Sequence, residues 1–489
     1  MAPVEADVEP QYYPDGTGST DMLLPAAAII GAVLACTAAG LAWDLWAARR
    51  GKAADKAPAV GVCALRGWVV GMLVSSYALL LPGLATHLFV ARSDLIIFGF
   101  PVNLNEYDET MVSLISRLFH HRMIIGAMLV TLYAIAIPLF KILLVVLGQC
   151  FQRSGRACDA RRSRACICIV QVISKWASPD MFAYILLMNL MRGLDKPPEL
   201  RSGMSMDLGF TSFCIFCVGS TVSSLGIHLP ALPSEDRASE APAASKLRIG
   251  LGGAACLVAT LASLFGILLV MGLNRPSMSL HIDLPLLYSV RPDLVDFQAL
   301  FEYMHVDQLL QDQVSVWESI ASLAKWSAQG EVNSAIALFL YAGCAVLLPV
   351  VDMCLLLAMT LVKLSDGARE EVGMWTSRAL AASRLLRKLS MLDVSVMGSL
   401  IVVASLRTLR EKGVLIEVCS GTLFLLGAEA CHYAAAWVAQ RALAPTPARE
   451  VAKTASAGTV GSTNPGDEQS ESCGDMGSSE DSVSAPGEP

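Results

Sequence analysis

Four charged side chains lie inside long apolar stretches of this sequence: Lys141, Asp180, Asp352 and Asp393. An ionisable group in such a stretch is costly, so each is a candidate for function. Lys141 and Asp180 carry opposite charges and lie at matching depths, so an ion pair between them is geometrically available. Asp352 and Asp393 hold the matching positions of a second stretch. Two carboxylates close together cannot both ionise comfortably, which is the composition of a proton-binding site.

Each pair also has a structural interpretation, and the sequence leaves it open. An ion pair between Lys141 and Asp180 could serve only to orient the helices, or Lys141 could extend to the membrane interface. Asp393 could lie at a water-facing helix start, where an acid interacts favourably with the helix dipole. Asp352 could then be bonded to a hydroxyl group.

The elements that must position these side chains follow from composition. The chain has 489 residues, of which 54% are hydrophobic and 16% are charged, and its mean hydropathy is +0.54. A soluble protein of this size carries more charge, because its surface has to be solvated. The apolar residues are grouped into runs near the roughly 18 residues needed to cross a bilayer. Since lipid cannot satisfy backbone polar groups, such runs predict helices.

We therefore predict an all-α polytopic membrane protein with about nine transmembrane helices. The first is an anchor helix appended to two tandem four-helix repeats, which cover 66–230 and 248–440. The predicted spans, in chain order, are 22–47, 66–92, 121–148, 174–194, 206–228, 248–273, 333–362, 389–407 and 414–440.

Lysine and arginine counts in the connections predict the orientation, because cytoplasmic loops carry an excess of both residues. The counts alternate: 1–21 has none, 48–66 has five, 93–120 has one and 149–173 has five. This pattern puts the N-terminus outside the cytoplasm and the C-terminus inside it, without naming the membrane. The acidic tails, 1–21 and 444–489, are predicted to be disordered. They carry −5 and −6, so the net charge of −7 leaves +4 for the residues between them.

Two matching motifs support the repeat. Pro138 precedes Lys141 by three residues, and Pro349 precedes Asp352 by the same interval. A proline inside a helix removes a hydrogen-bond donor, so both prolines are predicted to kink their helices. The fourth predicted span opens on Lys175 and reaches Asp180, and the eighth opens beside Lys388 and reaches Asp393. An even number of helices in each repeat gives both copies the same orientation.

With these motifs the sequence resembles the paraquat-inducible protein A family. Each half of that family has a proline–charge pair on its second helix and a Trp-Ser-Met-Leu-Asp-Val-Phe-like box opening its third. Here the second box reads Ser390-Met391-Leu392-Asp393-Val394, and the first keeps Trp176, Asp180 and Phe182. The resemblance covers about 66–440. It implies a role in moving lipids between membranes, with an MCE-domain protein as partner.

One departure from the family concerns metal. The family carries a cytoplasmic zinc ribbon of two Cys-x-x-Cys motifs ahead of each four-helix unit, whereas the equivalent loops here hold only Cys63. Cys214 and Cys217 lie inside an apolar span, where packing is the better interpretation. A zinc ribbon needs four ligands on polar loops. No metal and no other cofactor is predicted.

A second amphipathic signal lies in the loop between the sixth and seventh predicted spans. Apolar residues recur there at helical spacing over 291–328, and acids fill the opposite face. The segment could lie on the external membrane surface or dock a partner. It could equally form a cap on the helix bundle.

Taken together, these features predict an integral membrane component of the transport of lipid or other hydrophobic cargo, with membrane lipids as partners. Proton coupling is a further hypothesis that rests on Asp352 and Asp393. The alternatives are a secondary transporter of a small polar solute and a non-transporting scaffold or receptor subunit. No nucleophile and base are arranged recognisably, so an enzyme is not expected, and no nucleic acid is predicted as a partner.

Overall fold

The computed structural model describes residues 19–51, 65–97, 100–154, 157–196, 200–229, 250–290, 298, 311–365, 370–406 and 414–443. Most of the acidic N-terminal tail, the whole C-terminal tail and most of 291–310 lie outside the described residues.

The N-terminal part begins with α1 (Ser19–Gly51) and continues with the elements of the first predicted repeat. These are α2 (Gly67–Ala85), β1 (His87–Ile97), β2 (Phe100–Thr110), α3 (Met111–His120), α4 (Ile124–Thr131), α5 (Ile137–Arg153), α6 (Ala157–Ile173), α7 (Pro179–Gly193), β3 (Leu200–Met206) and α8 (Leu208–Leu225). We call the segment from α2 to α8 the N-terminal half.

The C-terminal half has a similar order of elements. It comprises α9 (Leu251–Asn274), β4 (Pro276–Ile282), α10 (Leu284–Val290), β5 (Asp312–Ser315), α11 (Val316–Ala328), α12 (Val332–Leu338), α13 (Leu348–Ser365), α14 (Glu370–Leu389), α15 (Leu392–Leu406), β6 (Val414–Val418) and α16 (Ser420–Leu443).

Each half contains one antiparallel three-stranded sheet, ordered β2-β1-β3 in the first and β5-β4-β6 in the second. In both sheets the central strand directly follows the first helix of its half. The two sheets lie at the same end of the bundle, where Lys196 donates to the Gln311 carbonyl at 3.3 Å. We call this the sheet end. The opposite end, at the turns from α5 to α6 and from α13 to α14, is the hairpin end.

The described residues contain eight helical segments long and apolar enough to cross a membrane, which confirms the predicted all-α polytopic class. They are Met22–Arg50, Gly67–Ala85, Ile124–Arg153, Leu208–Leu225, Leu251–Asn274, Val332–Ser365, Met374–Ser405 and Ser420–Leu443. The predicted span 174–194 is not among them. Its helix, α7, has 15 residues and therefore rises only about 22 Å, less than the thickness of a hydrocarbon core. Most of its residues are buried among other helices.

The six strands were not predicted, and three predicted spans included strand residues. The span 66–92 ran past the end of α2, where Thr86 turns the chain into extended backbone and its hydroxyl donates to the Pro82 carbonyl at 2.7 Å. The spans 206–228 and 414–440 similarly took in the end of β3 and all of β6. Apolar strands beside apolar helices extend a hydropathic run without changing its average, which is why the boundaries were misplaced.

The two predicted kink prolines each follow a π-helical segment. Leu132–Ala136 precedes Pro138 between α4 and α5, and Phe339–Leu347 precedes Pro349 between α12 and α13. A proline leaves one helical carbonyl without its usual donor and its ring crowds the preceding turn. The wider π turn accommodates both effects. Such turns occur frequently at functional sites. The carbonyl of Pro138 itself accepts a hydrogen bond from the Tyr77 hydroxyl at 2.9 Å.

The halves meet at α7 and α15, two helices of 15 residues each. Gly398 of α15 packs so closely on α7 that a Cβ there would lie 2.8 Å from Phe182 and from the Pro179 carbonyl. Phe182 in turn lies against Tyr341, with ring centroids 5.6 Å apart. Each of these helices follows a helix that comes from the hairpin end, α6 in the first half and α14 in the second. The residues of the two sequence boxes lie at the starts of α7 and α15, and most of them are buried in the bundle.

The amphipathic helices α3 and α11 are located at the sheet end and pack on the bundle. Each begins with a capping box, built by Thr110 and Ser113 in α3 and by Ser315 and Glu318 in α11. Leu323 of α11 is fully buried. The described part of the predicted amphipathic segment therefore packs one face on the bundle, while Trp317 on the same helix is exposed.

The appended helix α1 docks on α2 through a close backbone contact. Asp44 accepts hydrogen bonds from the backbone N–H groups of Gly67, at 2.5 Å, and Trp68, at 3.2 Å, and so caps the start of α2. Gly40 faces the Gly67 carbonyl, and a Cβ on Gly40 would collide with that oxygen.

Replacing Gly40 with valine is expected to lower the free energy of unfolding by about 1–3 kcal/mol, because overpacking must separate the two backbones. Gly31→Val on the same helix is the matched control, since nothing lies within 4 Å of its Cβ position. Thermal unfolding of both variants in detergent measures the difference. Equal unfolding temperatures would contradict the docking described.

Candidate functional site

Lys141 is fully buried on α5, three residues after Pro138. Its ammonium group donates to the Ser174 hydroxyl and to the Ser220 carbonyl oxygen, each at 2.6 Å. Ser174 begins the 3₁₀ turn that connects α6 with α7, and Ser220 lies on α8. The lysine thus joins the proline-containing helix to the last helix of the N-terminal half.

Asp180, the predicted partner of Lys141, lies at the start of α7 and is 1% exposed. Neither of its carboxylate oxygens has a hydrogen-bond partner among the described residues. The ion pair predicted between Lys141 and Asp180 is therefore absent from this arrangement, because Lys141 is bonded to Ser174 and Ser220. An orphaned buried carboxyl group is a costly arrangement that needs an explanation, and function is one.

Asp352 lies on α13, three residues after Pro349, and is also fully buried. One of its oxygens lies 2.8 Å from Nε2 of His432, and Nδ1 of the same imidazole lies 3.3 Å from Glu429. His432 is 0% exposed and Glu429 is 3% exposed. We call Asp352, His432 and Glu429 the carboxylate–imidazole cluster.

The cluster requires a proton beyond those of a neutral imidazole and two carboxylates. A neutral ring has one N–H donor and one acceptor nitrogen, whereas an ionised carboxylate can only accept. Both contacts of His432 are hydrogen bonds only when the ring is doubly protonated or when Asp352 or Glu429 is protonated. One further oxygen on each of Asp352 and Glu429 has no partner among the described residues. The cluster therefore brings two carboxyl groups into contact with one imidazole inside the bundle.

Asp393 was predicted to lie beside Asp352, but it pairs instead with Lys175 of the other half at 2.5 Å. Lys175 also donates to the Tyr433 hydroxyl at 2.8 Å, and that hydroxyl lies 3.2 Å from Asp393. The side chains of Lys175 and Asp393 are 10% and 15% exposed. Asp393 is thus paired with a cation. The acid–acid pair expected from the sequence is absent, because Asp393 binds Lys175 and Asp352 binds His432.

A second ion pair connects the halves at the other end of α7. Arg192 lies in the last turn of this helix and pairs with Glu331 at 3.2 Å, while its Nε donates to the Met204 carbonyl at 2.6 Å. Its guanidinium group lies over the ring of Trp326, 4.1 Å from the centroid. One helix is therefore tied to the C-terminal half near both of its ends, by Lys175 and by Arg192.

The planar group of Arg192 makes these contacts together, so Arg192→Lys is expected to lower the free energy of unfolding by about 1–2 kcal/mol despite keeping the charge. The matched control is Arg153→Lys at the exposed end of α5. Chemical unfolding of both variants in detergent measures the loss. An unchanged free energy of unfolding for Arg192→Lys would show that the positive charge is sufficient and that the planar group contributes nothing.

The four side chains predicted within apolar spans lie inside the bundle. Lys141, Asp180 and Asp352 are buried, and Asp393 is half-buried. Lys175 and His432 were not predicted as site residues. A signal existed for His432, because a histidine three residues after Glu429 places two polar groups on one face of an apolar helix. The described residues contain no group of three or more histidine, cysteine or acidic side chains that could hold a metal ion.

The fold and these buried charges define a polytopic helical membrane protein with a polar interior. Residues 73–227 match the family model of paraquat-inducible protein A, which confirms the predicted resemblance over this segment. The matched segment runs from α2 to the end of α8 and therefore includes Lys141 and Asp180. No curated protein and no solved structure matches the chain.

Proposed function

We propose that the protein is an integral membrane component of the movement of lipid or other hydrophobic cargo. The resemblance to the paraquat-inducible protein A family supports this role, and an MCE-domain protein is the partner that it implies. The observation that carries the proposal is the enclosure of the charged groups within the spans. Lys141, Asp352 and His432 are each 0% exposed and bonded to protein groups. A polar solute needs accessible polar groups along its route, whereas apolar cargo does not.

We further propose that the halves are tandem parallel repeats. Matching contacts support this idea. Gly83 and Gly272 are each third from the end of their helix, and their Cβ positions lie 3.1 Å from Phe213 and 2.8 Å from Leu425. Those partners are each the sixth residue of α8 and α16.

The partners of the buried charges correspond in the same way. Ser220, which binds Lys141, and His432, which binds Asp352, are each the thirteenth residue of their helix. The same structural position has therefore been given a cation in one half and a carboxylate in the other. This correspondence supports a pair of related sites with different chemistry.

The proposed orientation puts the sheet end outside the cytoplasm and the hairpin end inside it. The arginines of α6 support this assignment, because basic residues concentrate on the cytoplasmic side. The carboxylate–imidazole cluster supports proton coupling as part of the function. A group of three residues that shares a proton can bias the packing of α13 on α16 when that proton is gained or lost.

The test uses the full chain in proteoliposomes that contain a fluorescent phospholipid. Its transfer to acceptor vesicles is measured, and the phospholipid that copurifies with the protein is quantified by mass spectrometry. We expect phospholipid at a defined ratio, and transfer that falls at least about tenfold in Lys141→Met and Asp352→Asn variants. Leu139→Ala, at an exposed position on α5, is the matched control and keeps its transfer rate.

Other outcomes distinguish the alternatives. A small-solute transporter is indicated by the absence of bound phospholipid together with solute uptake that Asp180→Asn abolishes. A scaffold is indicated when variants of Lys141, Asp180, Asp352 and Asp393 all behave as the wild type. Transfer by the wild type that is independent of an imposed pH gradient removes proton coupling and leaves the lipid proposal in place.

A further inference from the structure

The hairpin formed by α5 and α6 carries two exposed free cysteines, Cys150 and Cys158. Cys150 is four residues from the end of the apolar helix α5, counting both, and Cys158 is the second residue of α6. Cys150 therefore lies near the end of a helix long and apolar enough to cross a membrane, and Cys158 lies at the start of the helix that follows it. Basic side chains surround the turn, namely Arg153, Arg161, Arg162 and Arg164.

The hairpin is held in a fixed geometry. The Ser163 hydroxyl donates to the Gly148 carbonyl at 2.7 Å, which packs α6 against α5. The Ser154 hydroxyl donates to Asp159 at 2.5 Å and closes the turn. These two hydrogen bonds hold α5 and α6 together beside the two cysteines.

An apolar stripe begins directly beside Cys150. Leu147, Val146 and Leu143 lie three, four and seven residues before it, and so they share its face of α5. They are 37%, 52% and 52% exposed. A hydrocarbon chain attached to the sulfur of Cys150 can extend along this stripe into the bilayer, while the arginines remain at the surface.

We propose that Cys150 and Cys158 are S-acylation sites for long-chain fatty acyl groups. Juxtamembrane cysteines are typical sites of this modification. The proposal goes beyond lipid movement, but it rests on the proposed orientation, because the acyl donor is cytoplasmic acyl-coenzyme A.

The reaction is an exchange of one thioester for another. The cysteine Sγ attacks the carbonyl carbon of the acyl-coenzyme A thioester, and the bond between that carbon and the coenzyme A sulfur breaks. Coenzyme A leaves as a thiol, carrying the proton that the cysteine lost, so no oxidant or reductant is needed. Acylation holds the hairpin at the membrane surface. Because Ser174 and Lys175 directly follow α6, the position of the hairpin also affects these two residues.

The experiment expresses the full chain in cultured animal cells. Free thiols are blocked, thioesters are cleaved with neutral hydroxylamine, and the released thiols are labelled with a maleimide-linked polyethylene glycol. We expect hydroxylamine-dependent bands with one and two tags for the wild type, one tag at most for Cys150→Ser and for Cys158→Ser, and none for the double variant. Cys354→Ser is the matched control, because that cysteine is exposed but lies within α13, and its pattern stays that of the wild type.

Tags that persist in the double variant, or a wild type without them, would overturn the proposal. A separate measurement tests the orientation. A membrane-impermeant maleimide is applied to cells in which acylation has been inhibited. It should label Cys158 once the plasma membrane alone is permeabilised and internal membranes remain intact, and not in unpermeabilised cells. Cytoplasmic labelling without any acyl tag removes acylation alone, whereas labelling from the opposite side removes the proposed orientation as well.

Discussion

Replacement of Lys175 with methionine is expected to lower the free energy of unfolding by about 3–5 kcal/mol, the range for breaking a buried ion pair. Asp393 then stays 15% exposed without the cation that lies 2.5 Å away in the wild type. Tyr433 retains a contact with Asp393, but a neutral hydroxyl cannot replace the charge. Unfolding in a detergent micelle with increasing denaturant measures the change.

The double variant Lys175→Met, Asp393→Asn supplies the decisive comparison. It removes both charges, so we expect it to be more stable than Lys175→Met alone. Lys325→Met, on the partly exposed face of α11, is the control for loss of a lysine. The single variant Asp393→Asn completes the comparison. If the losses of the two single variants add up to the loss of the double variant, the charges do not interact, which would contradict the described pair.

Replacement of His432 with leucine is expected to lower the free energy of unfolding by about 3 kcal/mol or more near neutral pH. Asp352 and Glu429 remain buried but lose the imidazole that connects them. Both acids are then left without this hydrogen-bond partner inside the bundle, which is the reason for the expected loss.

Thermal unfolding near neutral pH measures this loss. His228→Leu is the matched control, because His228 is exposed just after α8. Its effect should stay within about 0.5 kcal/mol. A loss for His432→Leu no larger than that of the control would contradict the contacts described.

Hydropathy was sufficient to predict the class of the fold and most of its helices, because crossing a bilayer imposes a length and a composition. It could not locate β1 or β6, since a strand at the end of an apolar helix continues the same run of apolar residues. The length of α7 was overestimated for a related reason. The sequence does not record that this helix is enclosed by protein and can stop after 15 residues.

The candidate site was predicted in its residues but not in its pairs. The motif spacing predicted Lys141 and Asp352 to be equivalent, and their partners are each the thirteenth residue of α8 and α16. The pairs were not predicted because one of them joins the two halves: Asp393 binds Lys175, which is 218 positions away in the chain. Motif spacing within one half carries no information about contacts between the halves. Neither the partner of Asp393 nor the lack of one for Asp180 among the described residues could therefore be predicted.

The same 218-residue separation sets an order of events during synthesis. Lys175 enters the membrane long before the ribosome has made Asp393, and at about 5–20 residues per second the interval is about 10–40 seconds. During that time the nascent first half holds an ammonium group without its counter-ion, so it must keep this group near water or lipid headgroups. The first half therefore reaches its final packing only when the second half is inserted, and truncated chains that end before α15 should be targets for membrane quality control.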